Sequence, residues 1–202
     1  MEEPVCEPPA IALYYIACKA RDSSVKVLLS GEGGDEVFGG YNKYAYLMAL
    51  ESMKARLGPF KVLLRRALQA SGFLGSRSLP NYAELVESEL ETYYLSCTAS
   101  PFTGFNRSKN ALYSTRFNER LFPCDSEQPT RELFVGLNGS PMLSKMLHVD
   151  SKTWLPDDLL VKADKMTMAA SVELRVPLLD TALLEFAAAL PTQFKLRGWP
   201  PK

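Results

Sequence analysis

Glu32, Asp35 and Glu36 stand together in the run Ser30-Gly31-Glu32-Gly33-Gly34-Asp35-Glu36-Val37-Phe38-Gly39-Gly40-Tyr41. Glycines at the end of a strand often make a tight turn, but a turn does not need three acids. Carboxylates next to a buried strand are costly unless a metal, another cation or a transferable proton is close by. A second group of ionisable residues lies between Trp154 and Asp180. Asp158 and Lys162 are four apart, so they share a helix face, with Lys165 three further on. That face, with Asp164, reads as solvated or packing surface. Glu173 and Arg175 are two apart and read either as an ion pair at a helix end or as part of a site. The lone His148 reads as an ordinary surface or interface residue.

The elements around these residues follow from pattern. Val25-Lys26-Val27-Leu28-Leu29 is a short apolar, β-branched run bounded by glycine, and reads as a buried strand. Open α/β sheets hold their ligands just past the ends of such strands. Pro8-Pro9 suits the start of a helix over about 10–19. A helix followed so soon by a strand suggests α/β layering around a parallel sheet. Residues 49–147 carry no motif and read as short amphipathic helices near 48–57, 60–70, 82–95 and 109–114. Gly58-Pro59, Ser71-Gly72, Leu79-Pro80 and Ser100-Pro101 mark the turns. Ser71-Gly72-Phe73-Leu74-Gly75-Ser76 has the look of a phosphate loop, but no strand precedes it and it holds no acid, so it reads as a turn between helices. Pro156 suits a first helical turn, and Asp157 and Asp158 suit its positive end. That helix must stop before Pro177, and 181–190 reads as another apolar helix.

Composition narrows the classes. The 202 residues are 47% hydrophobic, enough for a sizeable core. Lys+Arg and Asp+Glu are each 23, which argues against a nucleic-acid partner held by bulk positive charge. No apolar run is long enough to span a bilayer, and the acidic, proline-rich start is not a signal peptide. Cys6, Cys18, Cys97 and Cys124 form no CxxC and read as free thiols in a reducing cytoplasm.

The two dense segments together resemble the synthetase domain of the asparagine synthases, the glutamine-dependent amide-forming enzymes. The resemblance rests on Ser30 to Tyr41, and on Leu155-Pro156-Asp157-Asp158-Leu159-Leu160-Val161-Lys162 continuing to Ser171-Val172-Glu173-Leu174-Arg175-Val176-Pro177-Leu178-Leu179-Asp180. Glu2-Glu3-Pro4 is similar to a turn that precedes the family's first helix here, and the middle third matches only in helical character. The resemblance implies an α/β, adenine-nucleotide α-hydrolase-like (Rossmann-like) fold, with this stretch mainly α-helical and few strands. Three segments are expected: 1–48 with the strand and acidic loop, 49–147 as helical cover, and 148–202 with the second motif and a closing helix.

By the same resemblance, ATP activates a carboxylate, aspartate in this family, as an acyl-adenylate, and ammonia released from glutamine attacks it. Ser30 and Gly31 are then nucleotide-binding, Asp35 is the Mg²⁺ ligand, and Glu32 supports the intermediate and accepts a proton from ammonia. Glu36 is a second catalytic acid, while Glu173 and Arg175 bind substrate, with Leu174 as a lining residue. A base near the acyl carbon and hard oxygen ligands for Mg²⁺ are what such chemistry requires. The expected partners are small molecules, not nucleic acid or membrane, and a homodimer is compatible with them. The sequence departs from the family's pattern in three ways. It has no Ser-Gly-Gly-x-Asp-Ser pyrophosphate loop, no later lysine for the leaving pyrophosphate, and no cysteine at position 2 for a glutaminase. The chain is therefore expected to be an internal piece, inactive by itself, that works with a glutaminase domain and a pyrophosphate loop from elsewhere. A truncated product, an excised piece and a split subunit all fit. Two alternatives stay open. One is a relative that amidates another carboxylate, as in β-lactam synthetases or polysaccharide modification. The other is a non-catalytic helical interaction remnant.

Overall fold

The structure, a computed structural model, describes residues 7–72, 82–121 and 127–196. The Glu2-Glu3-Pro4 turn, Cys6, Cys124, Leu79-Pro80 and most of the loop from Gly72 to Ser76 lie outside the described residues. The chain divides into two compact units, Met1–Gly40 with Asp150–Arg197, and a second that contains Tyr41–Val149. The first and last motif segments thus belong to one unit.

In the first unit, α1 (Pro8–Asp22) starts on its proline pair and carries Lys19 and Arg21 in its last turn, where cations favour the helix dipole. It is longer at both ends than the 10–19 expected from sequence. Ser24 takes a left-handed conformation (φ 62°), and the Val25 amide donates to the Ala20 carbonyl at 2.9 Å, turning the chain into β1 (Val27–Leu29). α1 packs on α10 (Val161–Met168). Small side chains allow the close approach, since Ala17 and Ala163 are fully buried. Ala17, Ala170 and Val172 form a buried cluster, with Cys18, Ala20 and Leu28 against it.

β1 pairs in parallel with β2 (Glu173–Arg175), in the register Val27↔Glu173, Leu28↔Leu174 and Leu29↔Arg175. β2 was not foreseen. Glu-Leu-Arg has little intrinsic strand preference and becomes a strand through its partner. The reading of β1 as a buried strand needs correction. Leu28 faces the core, but Val27 is exposed and Leu29 is 74% exposed, because the described sheet has two strands and leaves one face open.

The start of the second motif also differs from expectation. Pro156 lies inside a π-helical turn, Leu155–Leu160, that runs directly into α10. The Asp157 amide already donates to the Thr153 carbonyl at 3.0 Å, so the proline does not open a fresh helix. α10 ends at Met168, and Ser171 at φ 57° turns the chain into β2, well before Pro177. A single 3₁₀ turn, Pro177–Leu179, leads to α11 (Thr181–Ala189), which Asp180 caps through its side chain to the Ala182 amide at 3.0 Å. α12 (Thr192–Lys195) follows.

The second unit is helical, with α3 (Asn42–Leu57), α4 (Lys61–Ala70), α5 (Leu90–Tyr93), α6 (Gly104–Leu112), α7 (Thr115–Leu121), α8 (Gln128–Val135) and α9 (Met142–Lys152), the last reaching just past its boundary. Tyr44, Leu47, Tyr93, Tyr94, Leu143 and Met146 are its fully buried large side chains. The helix expected over 82–95 is broken into a 3₁₀ turn, Glu84–Val86, and the single turn of α5. Of the helix expected at 109–114, residues 109–112 are the end of α6, and Tyr113 and Ser114 form the break before α7 begins at Thr115. Among the described residues, Cys18 and Cys97 are in no disulfide.

Candidate active site

The parallel register delivers the two motifs to one end of the sheet. The Ser30 amide donates to the Arg175 carbonyl at 2.9 Å, one step past the last strand pair. Beyond it the chain turns at once: Ser30 Oγ accepts from the Glu32 amide at 3.3 Å, and the Gly34 amide reaches the Gly31 carbonyl at 3.2 Å. Gly33 completes the turn at φ 88°. A Cβ there would run into the Leu179 side chain, so position and conformation both call for glycine.

α2 (Gly34–Phe38) begins immediately, with Asp35 and Glu36 in its first turn. The three acids now separate by environment. Asp35 is exposed, and its Oδ1 lies over Gly40, where a Cβ would collide with it. Glu36 is 1% exposed, beneath the loop. Glu32 is half-buried. Burial pushes the Glu32 carboxyl above the usual glutamate range. The Lys162 ammonium acts against that push, and the charges of Glu36, Glu7 and Asp158 add to it.

Lys162 has a side chain only 6% exposed, so it is packing surface and not solvated surface. Its Nζ donates to Glu7 Oε2, at the start of α1, and stands 3.6 Å from Asp158 Oδ2 in the π-turn. That second separation is an ion-pair distance and not a hydrogen bond, and Asp158 Oδ2 is buried with no hydrogen-bond partner among the described residues. Burial draws the lysine down, but the hydrogen bond and charge of Glu7, then Asp158 and Glu32, hold it above its ordinary value. Asp158 is raised by burial and by Glu7, against Lys162.

Glu173 and Arg175 lie on β2 and not at a helix end. They are exposed and pair with each other, Arg175 Nε to Glu173 Oε1 at 2.8 Å. The structure therefore brings Ser30, Gly31, Glu32, Asp35 and Glu36 to the same strand ends as Arg175, with Glu173 two residues back along β2. Sequence reasoning missed Glu7 as a partner of this site, and read Lys162 only as part of a helix face. A lysine set between Val161 and Ala163 and spaced four from an aspartate was the available signal. Glu7 carried none, because its partner is 155 residues away.

One carboxylate, Asp35, is free to face a metal from the loop. Among the described residues no cluster of three or more His, Cys, Asp or Glu is placed to hold a metal alone. That donor set fits Mg²⁺, which is commonly held by one or two carboxylates with substrate phosphates and water. Among the described residues no helix is long and apolar enough to cross a membrane.

The chain matches the asparagine synthase family model over residues 1–202. It is 33% identical over 203 residues to asparagine synthetase [glutamine-hydrolyzing] 1 of Bacillus subtilis (strain 168), covering 100% of this chain and 30% of that protein. It is 34% identical over 198 residues to putative asparagine synthetases [glutamine-hydrolyzing] of Mycobacterium bovis and Mycobacterium tuberculosis, covering 97% of this chain and 28% of each. It thus spans less than a third of the length of these relatives. No solved structure matches it. With both motifs on one strand end and the family model matched from end to end, this chain belongs to the asparagine synthase family.

Proposed function

We propose that this chain supplies one wall of the active site of an ATP-dependent, amide-forming synthetase of adenine-nucleotide α-hydrolase-like fold. The observation that carries the reading is the half-buried Glu32 at the end of a parallel strand pair, with an exposed Asp35 three residues further along the same loop.

The carboxylate to be amidated, aspartate by analogy with the named relatives, attacks the α-phosphorus of ATP. The bond to pyrophosphate breaks and an acyl-adenylate forms. Ser30 and Gly31 line the nucleotide, where the open backbone of the turn approaches phosphate most closely. Asp35 holds Mg²⁺, whose contribution is to neutralise charge on the phosphate oxygens of the departing pyrophosphate. Ammonia, released from glutamine by a glutaminase partner domain, then attacks the acyl carbon, and AMP leaves. The nitrogen must lose a proton as the amide forms. Glu32 accepts it, and its raised proton affinity suits a base that works near neutral pH. Glu36, which is buried, adds negative charge that raises the proton affinity of Glu32. Glu173 and Arg175 face the acceptor end, where an ion pair can open to receive the carboxylate and amino group of the substrate.

The test is ATP–pyrophosphate exchange by a chimera in which this chain replaces the matching stretch of one of its relatives. Exchange that requires both aspartate and Mg²⁺ is expected. A folded chimera that exchanges equally well without aspartate would rule out this reading of the substrate.

A further inference from the structure

We propose that the cleft between the end of α3 and the start of α4 binds a free α-amino acid, its ammonium among acceptors from α3 and Glu89 and its carboxylate on Lys61. The site lies wholly within the helical unit and does not rest on the reading of the loop after β1.

The cleft measures about 510 Å³, and Glu51, Lys54, Ala55, Lys61 and Glu89 line it. Small-molecule sites run from roughly 300 to 1,000 Å³. Glu51 and Lys54 are an ion pair with side chains 13% and 9% exposed. Each N–H of the Lys54 ammonium is committed, to Glu51 Oε1, the Leu85 carbonyl and the Ser88 carbonyl. Lys54 therefore fixes Glu51 and has no donor left for a ligand. Glu51 accepts this bond and the one from the Tyr93 hydroxyl on the same oxygen, Oε1. Its Oε2 has no hydrogen-bond partner among the described residues.

Two further acceptors follow from local structure. The Gly58 amide closes α3 on the Lys54 carbonyl, and the next residue is Pro59. Proline has no N–H, so the Ala55 carbonyl lacks the donor that a continuing helix would supply. Glu89 precedes α5, but its carboxylate does not cap that helix and forms no ion pair among the described residues. Lys61 opens α4, where a cation opposes the helix dipole, and pairs with no acid among the described residues.

The unused groups form a set. Two carboxylate acceptors and a carbonyl at the negative end of α3 stand with one cation in a single cleft. A primary ammonium carries three N–H donors and matches the acceptors, and a carboxylate matches Lys61. A simple amine would leave Lys61 unpaired beside it, and a simple acid would meet two carboxylates. With Glu51 balanced by Lys54, and Lys61 by Glu89, the cleft carries no net charge, which favours a zwitterion over an ion.

The test is a ¹H–¹⁵N NMR titration of the 202-residue chain with L-asparagine, L-aspartate and L-glutamine, the amino acids of the proposed reaction, and with acetate and methylammonium as controls. Saturable shifts at the Ala55, Gly58, Lys61 and Glu89 amides are expected with at least one of the amino acids and with neither control. Lys61→Met and Glu89→Gln should each weaken that binding by roughly tenfold, the scale of one charged hydrogen bond, with helical circular dichroism retained. The absence of saturable shifts at these amides overturns the proposal, as do shifts confined to the loop after β1 or equal shifts with either control. Unchanged affinity in either folded variant overturns it too, and if one variant does not fold, the other decides. The titration reads no turnover, so its outcome is separate from that of the synthetase reading.

Discussion

At the residue scale, the loop after β1 sorts three like charges into three settings within five positions: Glu32 half-buried, Asp35 exposed and Glu36 buried. The glycines make this sorting possible. Gly33 takes φ 88° against Leu179, and Gly40 leaves room for the Asp35 carboxylate. The identity of these acids was legible in the sequence because three carboxylates among glycines have no structural purpose. The pairing of Lys162 with Glu7 was not legible, because it spans 155 positions and forms where α1 lies on α10. The exposure of Asp35 leads to a prediction. Asp35→Asn in the active chimera should raise the Mg²⁺ concentration needed for half-maximal turnover, since one anionic ligand is lost. Turnover that overlays wild type throughout a Mg²⁺ titration would remove Asp35 from the metal shell.

At the element scale the reading was uneven: the helix expected at 48–57 is the later part of α3, which starts at Asn42. The helices near 60–70 and 181–190 were found to within a residue, as α4 and α11. The run 82–95 broke up because tertiary hydrogen bonds outbid its local periodicity. Lys54 of α3 reaches across it, donating to the Leu85 carbonyl at 3.1 Å and the Ser88 carbonyl at 2.5 Å while pairing with Glu51 at 2.6 Å. Glu51 also accepts from the Tyr93 hydroxyl at 2.7 Å. Burial, then Glu51, pushes the Tyr93 hydroxyl far above the usual phenol range, in keeping with a neutral donor to Glu51. The lysine is thus a clamp between α3 and the segment that ends in α5. Lys54→Met should lower stability by roughly 3 kcal/mol, the scale for leaving a buried acid and two carbonyls without their donor. Urea unfolding followed by circular dichroism measures this, and a loss under 1 kcal/mol would mean that the clamp is no better than a surface ion pair.

At the scale of the whole molecule, the chemistry-bearing segments lie at opposite ends of the sequence and fold into one unit, while the motif-poor middle forms a unit of its own. Composition and periodicity suggested helices over a parallel sheet. They did not show that Glu173 and Arg175 would be the strand beside Val27 to Leu29, since that pairing is set by register between distant segments. The chain matches the family from end to end yet spans 30% of the length of its Bacillus subtilis relative, so the reaction is best read in the chimera. The central claim is that Glu32 acts on the ammonia step at this strand end. The most direct measurement is Glu32→Gln in the chimera, with pyrophosphate release and amide formation followed separately. The substitution keeps the shape and removes the charge. Amide formation should fall by roughly 10²–10⁴, the scale of a positioned base, with pyrophosphate release reduced less. Amide formation at the unsubstituted rate would contradict the account.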